Sequence, residues 1–135
     1  MTSDSDIPGV SVEAMARAEA ALAGLNQRYI SWAEADLIRL QARLEEVSAA
    51  GSDATKALAD MFTISHDMKG QAATFGYPLV TELGNRLCRL IEASPHPDGE
   101  QLARLQALVA ALAQIIATRL GGDGGETGRA LLEGL

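Results

Sequence analysis

Apolar residues recur at three- and four-residue steps through most of this chain, and that spacing restricts it to packed helices. In 78–93 the stripe is Leu79, Val80, Leu83, Leu87, Leu90 and Ile91. In 98–120 it is Leu102, Leu105, Leu108, Val109, Leu112, Ile115 and Ile116. A third stripe, Trp32, Leu37, Leu40, Leu44 and Val47, approximates the same period. Half-buried strands would alternate apolar and polar residues, and no segment does so. Of the 135 residues 47% are hydrophobic but only 4% aromatic. Alanine and leucine, both strong helix formers, therefore carry the apolar content.

Punctuation divides these stripes. Ser31-Trp32-Ala33-Glu34 has the spacing of a capping box, and Gly51-Ser52 marks a stop. Asp53 is the expected N-cap of the next helix. Gly76 suits a left-handed helix terminus, and Pro78 suits the first turn of the helix that follows. Pro95 and Pro97 break that helix, and Asp98 caps the last long one. The expected fold is all-α: an antiparallel four-helix bundle over about 31–50, 53–75, 78–93 and 98–120. An extra N-terminal helix, about 11–24, would lie across one end. Residues 1–9 are expected as a disordered lead-in, 10–120 as the helical domain and 121–135 as a glycine-rich linker and short tail. The tail is too short to hold a helix alone in water; its leucines either dock or belong to a disordered end.

Bulk properties exclude several functions. A net charge of −7 argues against a general nucleic-acid binder, which would carry a basic stripe, and against binding to anionic membrane surfaces. No uninterrupted apolar run approaches the ~20 residues of a spanning helix. The polar, acidic start Met1-Thr2-Ser3-Asp4-Ser5-Asp6 lacks the pattern of a secretory signal. Cys88 is the single cysteine, which fits a reducing compartment. A cytoplasmic location is expected. Gly121-Gly122-Asp123-Gly124-Gly125 is followed by no lysine and fails the phosphate-loop motif. His66, Cys88 and His96 lack metal-ligand spacing, so no metal of its own is expected.

One cluster remains: His66-Asp67-Met68-Lys69-Gly70, followed by Gly76. At about 100° per residue, Ala54, Leu58, Met61, Ser65, Met68, Ala72 and Phe75 share the core sector of this helix, and His66 lies about 130° from its centre. The helical neighbours of His66 are Ala59, Phe62, Thr63, Lys69, Gly70 and Ala73. Exposed helix faces ordinarily carry Glu, Lys, Gln or Arg, whereas three of these residues are very small. A glycine inside a helix costs on the order of 1 kcal/mol relative to alanine, so Gly70 has another reason to be there. Close approach of a partner surface is one; packing where two helices cross is the other. Phe62 offers an apolar contact at the edge of the face. Lys69, one turn from His66, can neutralise charge added to the imidazole. No serine or cysteine has comparable support as a nucleophile.

The segment 66–77, HDMKGQAATFGY, resembles the signature of histidine phosphotransfer (HPt) domains of bacterial two-component phosphorelays. Met68 stands at the apolar position, and Ala72 and Ala73 at the small ones. The resemblance implies that His66 is the phosphoacceptor and Lys69 its charge partner, in a relay between receiver-domain aspartates with no ATP site of its own. It implies a docking face of Ala59, Phe62, Thr63, Gly70 and Ala73. Partners would be response-regulator receiver domains, among them that of a hybrid histidine kinase, with Mg2+ held by the receiver. In many family members a Gln or Glu on the next helix bonds the other ring nitrogen of the histidine. By spacing that position is Cys88, a poor acceptor. Asn85, one turn earlier, is the candidate substitute to orient the imidazole, and Arg89 a weaker one. The buried core favours a monomer. A non-catalytic adaptor using the same face is the alternative function.

Overall fold

The computed structural model describes residues 11–50, 53–119 and 125–135. The expected lead-in 1–9, the stop at Gly51-Ser52 and the glycines 121–124 lie outside the described residues. Five helices and no strands are found among the rest: α1 Val12–Ala50, α2 Thr55–Phe75, α3 Pro78–Ala93, α4 Gly99–Thr118 and α5 Gly125–Glu133. Neighbours in sequence among the first four pack on one another, most extensively α2 on α3, and α4 closes the ring on α1. With connections this short, that is the all-α bundle the periodicity predicts.

The expected break between an N-terminal helix and one starting at Ser31 is absent: α1 runs unbroken for 39 residues. Gly24 is the one glycine of α1 and the helix holds no proline, and a cost near 1 kcal/mol does not stop a helix between Ala23 and Leu25. Ser31 and Glu34 are exposed mid-helix residues, and no capping bond joins them. The core stripe starts at Tyr29 and continues through Ile30, Ala33, Leu40, Leu44 and Val47. Trp32, placed in the stripe by its spacing, is 49% exposed and touches Phe75 edge-on at 6.4 Å. Tyr29 stacks on Phe75 at 5.1 Å and leans on Tyr77 at 4.9 Å, sealing that end of the core.

The loop chemistry holds with one exception. Gly76 adopts φ 81°, ψ 32° and its N–H bonds the Ala72 carbonyl. A side chain there would be strained, which is why glycine ends α2. Pro78 sits in the first turn of α3. Asp98 and Gln101 form a reciprocal capping box at 2.8 and 3.0 Å. Asp53, however, does not cap α2. Ala54 takes the N-cap position without a side-chain bond. Its methyl group is buried in the core, which moves the helix start one residue past the aspartate.

Leu105, Leu112, Ile115 and Ile116 of α4 are buried against Met61, Val80, Leu83 and Leu87 in one cluster. Although no apolar run was expected to approach a membrane span, α4 at 20 residues and mean hydropathy 1.3 has the length and composition of one. Its apolar stripe is occupied by the bundle core. The nine residues of α5 fall below the length stable alone in water. Leu131 and Leu132 pack partly buried against the core, which supports the helix.

Candidate functional site

α2 divides into two faces. Leu58, Met61, Ile64, Ser65, Met68 and Ala72 are buried. His66 points away from them, its side chain 62% exposed. Phe62, one turn earlier, stacks beside the imidazole with centroids 6.2 Å apart and planes 18° from parallel. The ring Nδ1 lies 3.9 Å from Asp67 Oδ1. Both groups face water, so any pairing is worth little. Among the described residues no side chain hydrogen-bonds the ring.

Lys69 follows one turn later and is half-buried where α2 meets α3. Its Nζ donates to Asn85 Oδ1 at 3.3 Å, and its backbone carbonyl accepts from Thr81 Oγ1 at 3.1 Å. The structure thus gives Asn85 a partner other than the one expected. It holds the ammonium of Lys69 rather than the imidazole, because it faces residue 69 across the helix pair and not residue 66. Arg89 is exposed and makes no bond to the ring. Cys88 is buried, with Sγ 3.9 Å from the Phe62 carbonyl. Burial pushes its thiol pKa up, partly offset by the nearby Lys69. It behaves as a small core residue.

The two glycines beside the site differ in kind. A Cβ on Gly70 would meet nothing within 4 Å, so Gly70 is not packed against any described part of the chain. The helix-crossing role belongs to Gly84 of α3. A Cβ there would stand 2.8 Å from Lys69 Cβ and 3.1 Å from the Ser65 carbonyl oxygen. Gly84 lets α3 approach the segment that carries His66 and Lys69. Sequence reading missed it, and Thr81 with it. The available signal was a lone glycine inside a strong helical stripe, which usually marks close packing.

Around His66, Ala59, Thr63, Gly70 and Ala73 are exposed and Phe62 half-buried. Thr63 Oγ1 bonds the Ala59 carbonyl of its own helix at 3.2 Å, so this face presents few free polar groups. A shallow groove of about 550 Å³ runs beside it, between Lys69, Gly70 and Ala73 on α2 and Pro78, Thr81 and Asn85 on α3. Among the described residues no three His, Cys, Asp or Glu side chains converge as a metal site.

The site is thus an exposed imidazole with an anchored ammonium one turn away, on a face of small residues of an all-helical bundle. The family model of the Hpt domain matches residues 13–115, and the chain belongs to that family of histidine phosphotransfer domains. No curated protein and no solved structure gives a significant match. Membership implies histidine phosphotransfer in a phosphorelay. Members generally interact with receiver domains of response regulators and generally lack an ATP site of their own.

Proposed function

We propose that this protein relays a phosphoryl group between receiver-domain aspartates through His66. The observation that carries the reading is the exposed His66 imidazole, with Lys69 held one turn away by Asn85. A lone pair on a ring nitrogen attacks the phosphorus of a receiver aspartyl phosphate. The N–P bond forms as the P–O bond to the carboxylate breaks, and the aspartate leaves as a free carboxylate. The reverse sequence on a second receiver regenerates the imidazole. Lys69 neutralises charge on the transferred group, and the Mg2+ that assists departure belongs to the receiver. Ala59, Phe62, Thr63, Gly70 and Ala73 form the surface on which the receiver rests. Because Gly70 and the alanines carry no long side chain, the receiver's aspartyl phosphate can come within bonding distance of the ring.

The test is transfer from a phosphorylated receiver. Wild-type protein is expected to acquire acid-labile, base-stable label, and His66→Gln none. Label retained on His66→Gln overturns the assignment. A receiver that binds both proteins equally without any exchange points instead to an adaptor.

A further inference from the structure

The first part of α1 contributes no buried residue to the core, and of it only Asn26 and Gln27 border the bundle among the described residues, beside Tyr77 and Arg119. From Val12 to Arg28 every residue is exposed except half-buried Ala14 and Gly24, and the core begins at Tyr29. About 17 residues, roughly 26 Å of helix, therefore extend beyond the end of the bundle closed by Tyr29, Phe75 and Tyr77. A helix of that length is marginal in water without tertiary support.

This extension carries a seam. Met15, Ala18, Leu22 and Leu25 follow one another at steps of three, four and three residues, and Tyr29 and Trp32 continue the pattern. That is the a and d spacing of a coiled coil. Met15 is 42% exposed, Leu22 64% and Leu25 39%, so the seam faces water.

We propose that the seam pairs with a second copy of this chain, antiparallel, to form a dimer. Two observations choose this occupant. The first is length: with Val12 opposite the second copy's Arg28, the two extensions overlap fully and the bundles stand at opposite ends. Parallel strands of the same length would bring both bundles side by side at one end. The second is shape. The same register sets Met15 against the second copy's Leu25 and Ala18 against its Leu22, so small faces large at the centre of the seam. The helix dipoles are opposed only in the antiparallel arrangement. A specific interface of about 1,000 Å² in total asks for about 30 Å² from each residue of the two extensions, within reach of leucine, methionine and alanine side chains this exposed. The monomer expected from sequence rested on the buried four-helix core, which does not include the first part of the continuous α1.

Light scattering on the full chain tests the proposal. At high micromolar concentration the mass is expected to be twice 14.2 kDa, and Leu22→Glu to return it to the monomer value. The thermal transition of the bundle should survive this change, because Leu22 lies outside the core. Orientation is read from disulfides in a Cys88→Ser background. An oxidised mixture of Met15→Cys and Leu25→Cys chains should give the mixed disulfide. Monomer mass at every concentration overturns the proposal, as does a dimer indifferent to Leu22→Glu. Met15 homodisulfides in place of mixed ones overturn the antiparallel arrangement.

Discussion

Replacing Gly84 by alanine should loosen the site, while the same replacement at Gly70 should firm the helix. A methyl group on Gly84 would enter at 2.8 Å from Lys69 Cβ and 3.1 Å from the Ser65 carbonyl oxygen. Carbon atoms rest at about 3.5–4.0 Å, so α2 and α3 must separate by nearly 1 Å or Lys69 must shift. Overpacking of this kind costs roughly 1–3 kcal/mol. Removing a glycine from a helix interior returns about 1 kcal/mol, which leaves a net loss of up to about 2 kcal/mol, about 1 at the middle of the range. Gly70 offers no opposing contact, so Gly70→Ala should gain about 0.5–1 kcal/mol. The two variants should differ by about 2 kcal/mol, a gap in Tm of roughly 5–10 °C for a chain of this size. Circular dichroism at the helix band, in urea and on heating, measures both. Phosphotransfer should slow in Gly84→Ala, since Lys69 is displaced with its helix. The reasoning fails if Gly84→Ala is as stable as wild type, or if Gly70→Ala is less stable.

Asn85→Ala should slow phosphotransfer several-fold while changing stability by less than ~1 kcal/mol, because it frees a half-exposed ammonium without opening the core. Rapid-quench transfer assays beside urea titrations separate the two effects, and an unchanged rate would show that Lys69 works without its anchor. Tyr29, buried at the aromatic end of the bundle, has its phenol pushed up to about 12, mainly by burial. The fold therefore favours the protonated phenol: its stability is complete below pH 10 and falls as pH rises to about 12, by ~2–3 kcal/mol. Urea midpoints across that range should fall in wild type and fall less in Tyr29→Phe; equal slopes would reject this origin. Asp98→Ala removes the carboxylate that accepts from Gln101 N–H in the capping box and should cost about 1 kcal/mol, read as a lower urea midpoint with unchanged slope.

Much of the site was legible because its information is local. The spacing of His66, Lys69, Gly70 and Gly76 sets their relation on one helix, and helical geometry alone turns His66 off the core. The observed exposure of His66 and burial of Met61, Ser65 and Met68 follow from that periodicity. The second helix was harder. Which residue of α3 faces which residue of α2 depends on their crossing and depth of approach, and these rest on packing. Asn85 was therefore assigned to the wrong neighbour, and Gly84, whose value lies wholly in a contact across the pair, drew no notice. The break assumed before Ser31 failed for a different reason. A serine followed three residues later by glutamate is a cap only where the preceding chain leaves the helix, and the stretch of α1 before Ser31 holds no proline and only one glycine, Gly24, to make it leave.

The amino-acid sequence by itself determined the helical class, the ends at Gly76 and Asp98, and the face on which His66 stands. These follow from the 3.6-residue repeat and from backbone preferences that act within a few residues. Tertiary structure alone decided that Gly84 brings α3 onto α2, that Ala54 rather than Asp53 begins α2, and that Asn85 holds Lys69. Each of those outcomes turns on which groups meet across different helices, where burial and contact outweigh local preference.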